Sequence, residues 1–383
     1  MNQRFYSLDV FRGATVALMI LVNNPGSWGH IYSPLEHASW HGCTPTDLVF
    51  PFFLFAVGNA MAFVMPKLEA AGTNAFLKKI ITRTLLIFCI GLFLNWFPFI
   101  KWSNEELVGK PFETLRILGV LQRIALCYCF ASLIIYFLKS KGAYVAVFTI
   151  LLFYWLICLL LGNPADPYSL EGFWGTAFDK AILGENHMYK GEGVAFDPEG
   201  LASTLPAITQ VVFGFFVGQY IQQKGKNFEM VTNLFVAATV LVFAGFCWDM
   251  VFPINKKIWT SSYVLYTTGL ATMILAVMIY LIEFKQYKGW PTKFFDVFGK
   301  NPLFIFVLSG LFPRLLALIR IPSTLDENGK QLYTTPLGWF YQHICAPISE
   351  NPKNGSLLYA IITILFYWTI VYFMDRRKIY IKV

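Results

Sequence analysis

The chain is predicted to be an all-α, polytopic integral membrane protein of about ten transmembrane helices, forming a single domain over residues 1–383. Three observations predict this. Of the 383 residues, 56% are hydrophobic and only 14% are charged, where a soluble chain averages nearer a quarter charged. Mean hydropathy is +0.55. Apolar runs long enough to cross a bilayer as helices recur along the whole length, and the basic residues collect in alternate connections between them.

The runs fall at about 8–23, 45–65, 79–98, 117–138, 143–161, 203–222, 230–250, 259–283, 296–319 and 355–374. The first follows M-N-Q-R-F-Y-S-L-D-V-F-R-G, which has no small-residue cleavage site and reads as a retained span. Connections after the second, fourth, sixth and eighth runs carry Lys67, Lys78 and Lys79, then Lys139 and Lys141, then Lys224 and Lys226, then Lys285, Lys288 and Lys293. The chain ends D-R-R-K-I-Y-I-K-V. By the positive-inside rule these segments and both termini face the cytoplasm. The opposite connections are longer and more acidic. Residues 162–202 hold Asp166, Glu171, Asp179, Glu185, Glu192, Asp197 and Glu199 against Lys180 and Lys190. The formal charge of +8 therefore describes loop sidedness and gives no sign of a nucleic-acid partner. No fixed-period repeat, separable soluble domain or mononucleotide-binding glycine motif interrupts the pattern.

Chemistry concentrates between the first two runs. Residues 22–55 hold Asn23, Asn24, His30, His37, His41, Cys43 and Asp47, including three of the five histidines. His37 has the side chain that takes or carries protons near neutral pH, and it can also act as a nucleophile. Asp47, at the mouth of the second run, is a carboxylate of the kind that orients an imidazole. Asn23 and Asn24 offer amide donors to a developing oxyanion. The plainer reading makes these interfacial caps, with Trp28 and Trp40 as belt aromatics. His37-x-x-x-His41 also has zinc-pair spacing, but Pro34, Gly42 and Pro45 bracket it and argue against a helix there. No metal is expected.

Other charges invite partners. Asp9 and Arg12 share a helical face. Arg123, inside an apolar run, needs a carboxylate or an anionic ligand. Asp197 and Glu199 precede the sixth run and could cap its helix or hold an ammonium group. Lys256 and Lys257 lie on the outer side against the general trend, which suits anion contact. Five of the seven cysteines lie in apolar runs as small buried hydrophobes, and Cys43 and Cys345 could form a bridge.

Taken together, S-L-D-V-F-R-G (7–13), V-N-N-P-G-S-W (22–28), H-A-S-W-H-G-C-T-P-T-D-L-V-F-P-F-F-L-F (37–55), G-V-L-Q-R-I (119–124), F-D-P-E-G-L-A-S-T-L-P-A-I (196–208), N-K-K-I-W-T-S-S-Y-V-L (255–265), G-K-N-P-L (299–303) and the terminal R-R-K-I-Y-I-K-V resemble the heparan-α-glucosaminide N-acetyltransferase family, in a bacterial form. These segments run in order through nearly the whole chain. The resemblance implies a transmembrane acyltransferase that moves an acetyl group from cytosolic acetyl-CoA to the amine of a glucosamine-type sugar or glycan at the outer face. It implies His37 as general base or acetyl carrier, with Asn23 and Asp47 beside it. Arg12, Arg83, Arg123, Lys256 and Lys257 are then candidates for the acetyl-CoA site. Asp197, Glu199 and Trp40 are candidates for the acceptor. The expected location is a bacterial inner membrane with the catalytic loop on the periplasmic side, and a homodimer is a partner to test. The alternatives are an O-acyltransferase of exported polysaccharide, a secondary transporter for sugars or peptides, and a non-catalytic membrane scaffold.

Overall fold

A computed structural model describes residues 5–103, 105–325, 327 and 329–381. The first four residues and the final Lys-Val of the basic C-terminus lie outside the described residues. The helices are α1 (Tyr6–Asn23), α2 (Val49–Ala70), α3 (Thr73–Trp96), α4 (Val120–Leu161), α5 (Trp174–Leu183), α6 (Leu201–Lys224), α7 (Phe228–Asp249), α8 (Ser261–Ile279), α9 (Trp290–Lys300), α10 (Pro302–Leu316), α11 (Pro336–Phe340) and α12 (Pro352–Arg376). Two small antiparallel hairpins stand in connections: β1 (Ile100–Ser103) with β2 (Glu106–Gly109), and β3 (Ile321–Leu325) with β4 (Gln331–Thr334).

Among the described residues, seven helices are long and apolar enough to cross a membrane, or eight if α9 and α10 form one broken span. This is the build of an integral membrane protein, but it differs from the ten separate spans expected. The predicted span 79–98 falls in α3, whose first half carries Lys78, Lys79 and Arg83 and is not among the seven. The predicted spans 117–138 and 143–161 lie in one 42-residue run, α4. At 1.5 Å per residue that run is about 63 Å long, roughly twice a hydrocarbon core. It turns at Lys139, where φ is 55° and ψ is −179°. Both halves then reach the same turn: Arg123 lies 5.1 Å from the centroid of Trp259, and the Tyr154 hydroxyl donates to Ile258 O at 2.6 Å. The run therefore doubles back. The predicted span 296–319 is bent by 79° between α9 and α10, where Pro302 follows Asn301.

The connections sort into two ends of the bundle. At one end Gly42 N donates to Ile254 O at 2.7 Å, Trp40 Nε1 to Tyr168 O at 2.8 Å, and Trp102 Nε1 to Leu318 O at 2.9 Å. At the other end Lys139 pairs with Glu69, Lys226 with Glu283, and Lys293 and Lys300 with Asp375. The histidine-rich loop belongs to the first end and the basic connections to the second.

Close approach of backbones fixes the helix that carries Asp47. A Cβ on Gly58 would lie 1.9 Å from Val211 O, and one on Gly214 would lie 2.1 Å from Phe55 O. α2 and α6 thus touch through two glycines, the small-residue packing that membrane helices use where apolar burial gives no drive. Gly13 and Gly299 do the same for α1 and α9. Leu54, Phe55, Val211 and Val212 fill the seam and are buried. The bridge considered between Cys43 and Cys345 is not formed: both are free thiols.

Candidate active site

The site is built where the loop after α1 meets the start of α2. Pro45–Leu48 forms a single 3₁₀ turn with Thr44 as its cap. Asp47 Oδ2 accepts from Thr44 N at 3.0 Å and Thr44 Oγ1 at 3.1 Å. It also accepts from Ala38 N at 3.0 Å. The capping role anticipated for such a residue is thus filled by one oxygen. The other oxygen faces His37, with Oδ1 and Nδ1 2.6 Å apart. Asp47 is 1% exposed, whereas the His37 side chain is 42% exposed. A carboxylate so placed fixes the Nδ1–H tautomer and leaves Nε2 with its lone pair toward the opening, where it can accept a proton.

A second segment closes over this pair. Residues 254–260 run beside Gly42 in a short parallel bridge. The turn is fastened internally: Asn255 Oδ1 accepts from Ile258 N at 3.0 Å, and Asn255 N donates to Thr260 Oγ1 at 3.0 Å. Lys256 Nζ thereby lies 3.0 Å from His37 Nδ1, 3.4 Å from His37 Nε2 and 3.4 Å from Asp47 Oδ1. Burial pushes the Lys256 ammonium below the usual lysine range, against the pull of Asp47. Tyr263 supports the site from below by donating to Asp47 O at 2.6 Å.

The remaining candidates divide. Lys257 is spent on Glu192 Oε2 at 2.7 Å and Ser39 O at 2.8 Å, and lies over Trp40. Trp40 packs on Phe196 with its N–H on Tyr168 O, so it serves as a wall of the loop. His41 lies against Asn255, with 3.3 Å between Nδ1 and Nδ2. Residues 37–41 form no helix, so the helical i, i+4 spacing is not realised, and no group of three or more His, Cys, Asp or Glu is placed to hold a metal among the described residues. Burial, then the nearby Asp47, pushes the Cys43 thiol up to about 12, which removes it as a nucleophile at neutral pH.

Asn23 ends α1 in an exposed position, and no hydrogen bond joins it to His37 among the described residues. Asn24 is engaged on Ile20 O at 2.8 Å. Asp197 and Glu199 meet Arg116, a residue that sequence reasoning passed over. Arg116 holds Asp197 through Nε at 3.0 Å and Nη2 at 2.7 Å, and also pairs with Glu199. Asp197 is buried and also accepts from Glu199 N and Tyr189 N. Both of its oxygens thus have partners inside the protein. Arg123 forms no ion pair with a carboxylate among the described residues. It donates to Gly200 O and Ser203 Oγ and lies over Trp259.

Arg12 and Arg83 come together with Lys300, far from His37 along α2. They line a cavity of about 400 Å³ whose α2 wall runs from Phe53 to Leu68. That wall is about 22 Å long, and Phe53 lies about 9 Å along the helix from Asp47. Arg12 is paired with Asp9 at 2.8 Å, as their spacing suggests, and donates to Gly299 O at 2.7 Å. Arg83 lies 4.7 Å from the centroid of Tyr128. The rest of the lining is mostly apolar, including Met61, Ile87, Leu121 and Phe306. The His37–Asp47 pair thus stands just before the start of α2, and a long, largely apolar cavity lined by basic groups runs beside that helix.

Comparison with known proteins follows the same lines. No family model matches the chain. It is 25% identical over 434 residues to human heparan-alpha-glucosaminide N-acetyltransferase, covering 99% of this chain and 60% of the human protein. It is 25% identical over 367 residues to the mouse protein of the same name, covering 81% of this chain and 54% of the mouse protein. The chain thus spans little more than half the length of these relatives. The two matches, running through most of its length, support membership of the heparan-alpha-glucosaminide N-acetyltransferase family.

Proposed function

We propose that the protein is a transmembrane N-acetyltransferase that moves an acetyl group from acetyl-CoA to the amine of a glucosamine-type sugar or glycan. The observation that carries this reading is the arrangement around α2: an imidazole fixed by a buried carboxylate just before its start, and a long cavity with Arg12, Arg83 and Lys300 beside the helix. The names of the two relatives supply the acyl group and the amino-sugar class. Acetyl-CoA suits the cavity because its phosphates need cations and its pantetheine arm can lie along apolar walls. Lys256 and Lys257, both at the His37 end, are then too remote for the phosphates and serve the reacting end instead.

In this reading the acceptor amine attacks the thioester carbonyl carbon and His37 Nε2 takes its proton. Asp47 holds the Nδ1–H and stabilises the imidazolium that forms. The carbon–sulfur bond then breaks, and the CoA thiolate leaves with the proton held by His37. Asn23 is the amide donor toward the carbonyl oxygen. The route through acetyl-His37 differs in one respect: His37 Nε2 attacks first and the amine second.

The sidedness follows from the charges. The end of the bundle with Lys139, Lys226, Lys285 and Lys293 is cytoplasmic, both termini lie there, and the chain makes about ten crossings. His37 then faces the outer, periplasmic side of a bacterial inner membrane. The experiment is transfer of labelled acetyl from acetyl-CoA to glucosamine, with an alcohol acceptor alongside. Label on the amine, lost in His37→Ala, supports the reading. Transfer to hydroxyls alone would make the protein an O-acyltransferase, and no acetyl-CoA binding at all would overturn the transferase reading.

A further inference from the structure

Lys256 stands closer to both ring nitrogens of His37 than any group the sequence pointed to except Asp47. Its ammonium is 3.0 Å from Nδ1 and 3.4 Å from Nε2. Its ion pair with Asp47 does not exhaust its donors. Asp47 already receives His37 Nδ1, Ala38 N, Thr44 N and Thr44 Oγ1, and the ammonium is 3.4 Å from Oδ1, beyond a good hydrogen bond. Nδ1, which donates to Asp47, has no lone pair to offer Lys256. An ammonium has three N–H groups, so this one, 3.4 Å from Nε2, has donors to offer in the space beside that nitrogen.

Two further features set Lys256 apart from an ordinary surface lysine. Its backbone is fixed by the turn at 254–260, through the Asn255 and Thr260 hydrogen bonds and the bridge to Gly42. Its side chain is only 21% exposed. A desolvated, positioned cation stabilises developing negative charge far better than one in water. Lys257, one residue on, shows the contrast: it has Glu192, Ser39 O and the Trp40 ring as partners.

We propose that Lys256 is a further catalytic side chain of this reaction, donating from its ammonium to the acyl oxygen as the thioester carbonyl becomes tetrahedral. The proposal rests on the acetyl-transfer reading above. The amine nitrogen forms its bond to the carbonyl carbon, and the carbonyl π pair moves onto oxygen. The Lys256 N–H hydrogen-bonds that oxygen without transferring its proton. As the carbonyl re-forms, the carbon–sulfur bond breaks and the thiolate takes the proton that His37 removed from the amine. Lys256 is thus unchanged over the cycle and works only while the oxygen carries charge. In the two-step route it serves both tetrahedral intermediates in the same way.

The test compares Lys256→Met, Lys256→Gln and Lys256→Arg in the full chain and in the His37→Ala background. Turnover, KM, acetyl-CoA affinity and thermal midpoint are measured for each. Expected is a fall in kcat of about 10²–10³ for Met and Gln, the usual effect of losing one oxyanion donor, with acetyl-CoA affinity unchanged. Arg, which keeps the cation, should recover part of it. In the His37→Ala background the residual rate should fall again on Lys256→Met, because oxyanion stabilisation survives loss of the base. Unchanged kcat in Met and Gln would overturn the proposal. So would a Lys256→Met effect that vanishes without His37, since the lysine would then only position the imidazole. If one variant does not fold, the other two carry the same comparison. Full activity in His37→Ala would instead sink the reading of the site, whereas an impaired His37→Ala beside a normal Lys256→Met would sink this inference alone.

Discussion

Asp47→Asn isolates what the buried carboxylate does. The substitution keeps shape but replaces one acceptor oxygen with an NH₂ donor. Its orientation is dictated by the backbone. Ala38 N and Thr44 N both donate at 3.0 Å to the Oδ2 position, so the amide oxygen must stay there. The NH₂ group then occupies the Oδ1 position, 2.6 Å from His37 Nδ1. Two donors cannot share that contact, so the imidazole must shift to the Nε2–H tautomer, and the nitrogen at the opening loses its lone pair. In serine proteases the equivalent change lowers kcat by about 10⁴-fold with the geometry intact, and a fall of about 10³–10⁴ is expected here. The opposite rotamer would set an NH₂ against two backbone N–H groups and a hydroxyl, each unsatisfied donor costing about 1–3 kcal/mol. Replacing a charge-assisted bond with a neutral one should lower stability by roughly 1–2 kcal/mol. The assay pairs turnover of labelled acetyl-CoA onto glucosamine with acetyl-CoA affinity and thermal midpoint. Wild-type turnover in a folded Asp47→Asn would refute the tautomer argument. A loss of turnover that simply follows loss of folded protein would refute it too.

Arg12→Gln and Arg83→Gln should each weaken acetyl-CoA binding by about tenfold, on the order of one charge-assisted contact, while Lys257→Gln should not; calorimetric titration with acetyl-CoA decides this. A cysteine introduced near Lys139 should react with an impermeant maleimide only from the cytoplasm, and one near Glu192 only from outside; reaction of both from one side would sink the proposed topology. Burial raises the Asp179 carboxyl to about 6, so the folded state holds its proton above pH 3.8, where the unfolded chain releases it. That contribution is full below pH 3.8 and is lost as pH rises to about 6, by at most about 3 kcal/mol. Asp179→Asn should flatten this part of the stability–pH curve, and an unchanged curve would exclude Asp179 as its source.

Much of the fold could be read from the sequence because apolar runs and loop charges are local properties. So could the position of His37 and Asp47, ten residues apart within one loop. Their contact needed only the observation that Pro34, Gly42 and Pro45 prevent a helix and let the loop fold back. What escaped was set by distant parts of the chain. Lys256 meets His37 across a separation of 219 residues. Arg116 meets Asp197 across 81, and it pairs with Glu199 as well. Sequence rules can say that a buried Arg123 needs partners, but not that a carbonyl, a hydroxyl and the Trp259 ring supply them. The turn of α4 at Lys139 falls between the two apolar runs that Lys139 and Lys141 separate, so charge marked it although Lys139, Ser140 and Lys141 carry neither proline nor a tight-turn pair. Arg12 and Arg83 could be proposed as partners for phosphates, yet only the packing of α1, α2, α3 and α9 brings them to one cavity with Lys300.

The most direct measurement is turnover of His37→Ala alongside its acetyl-CoA affinity. If His37 is the base or the acetyl carrier at the end of α2, the variant folds, because the side chain is 42% exposed and fills no core. It binds acetyl-CoA as the wild type does, because the cavity with Arg12, Arg83 and Lys300 lies along the other part of the helix. Its turnover falls by about 10²–10⁴. Full transfer activity in a folded His37→Ala would contradict the assignment of this loop as the active site.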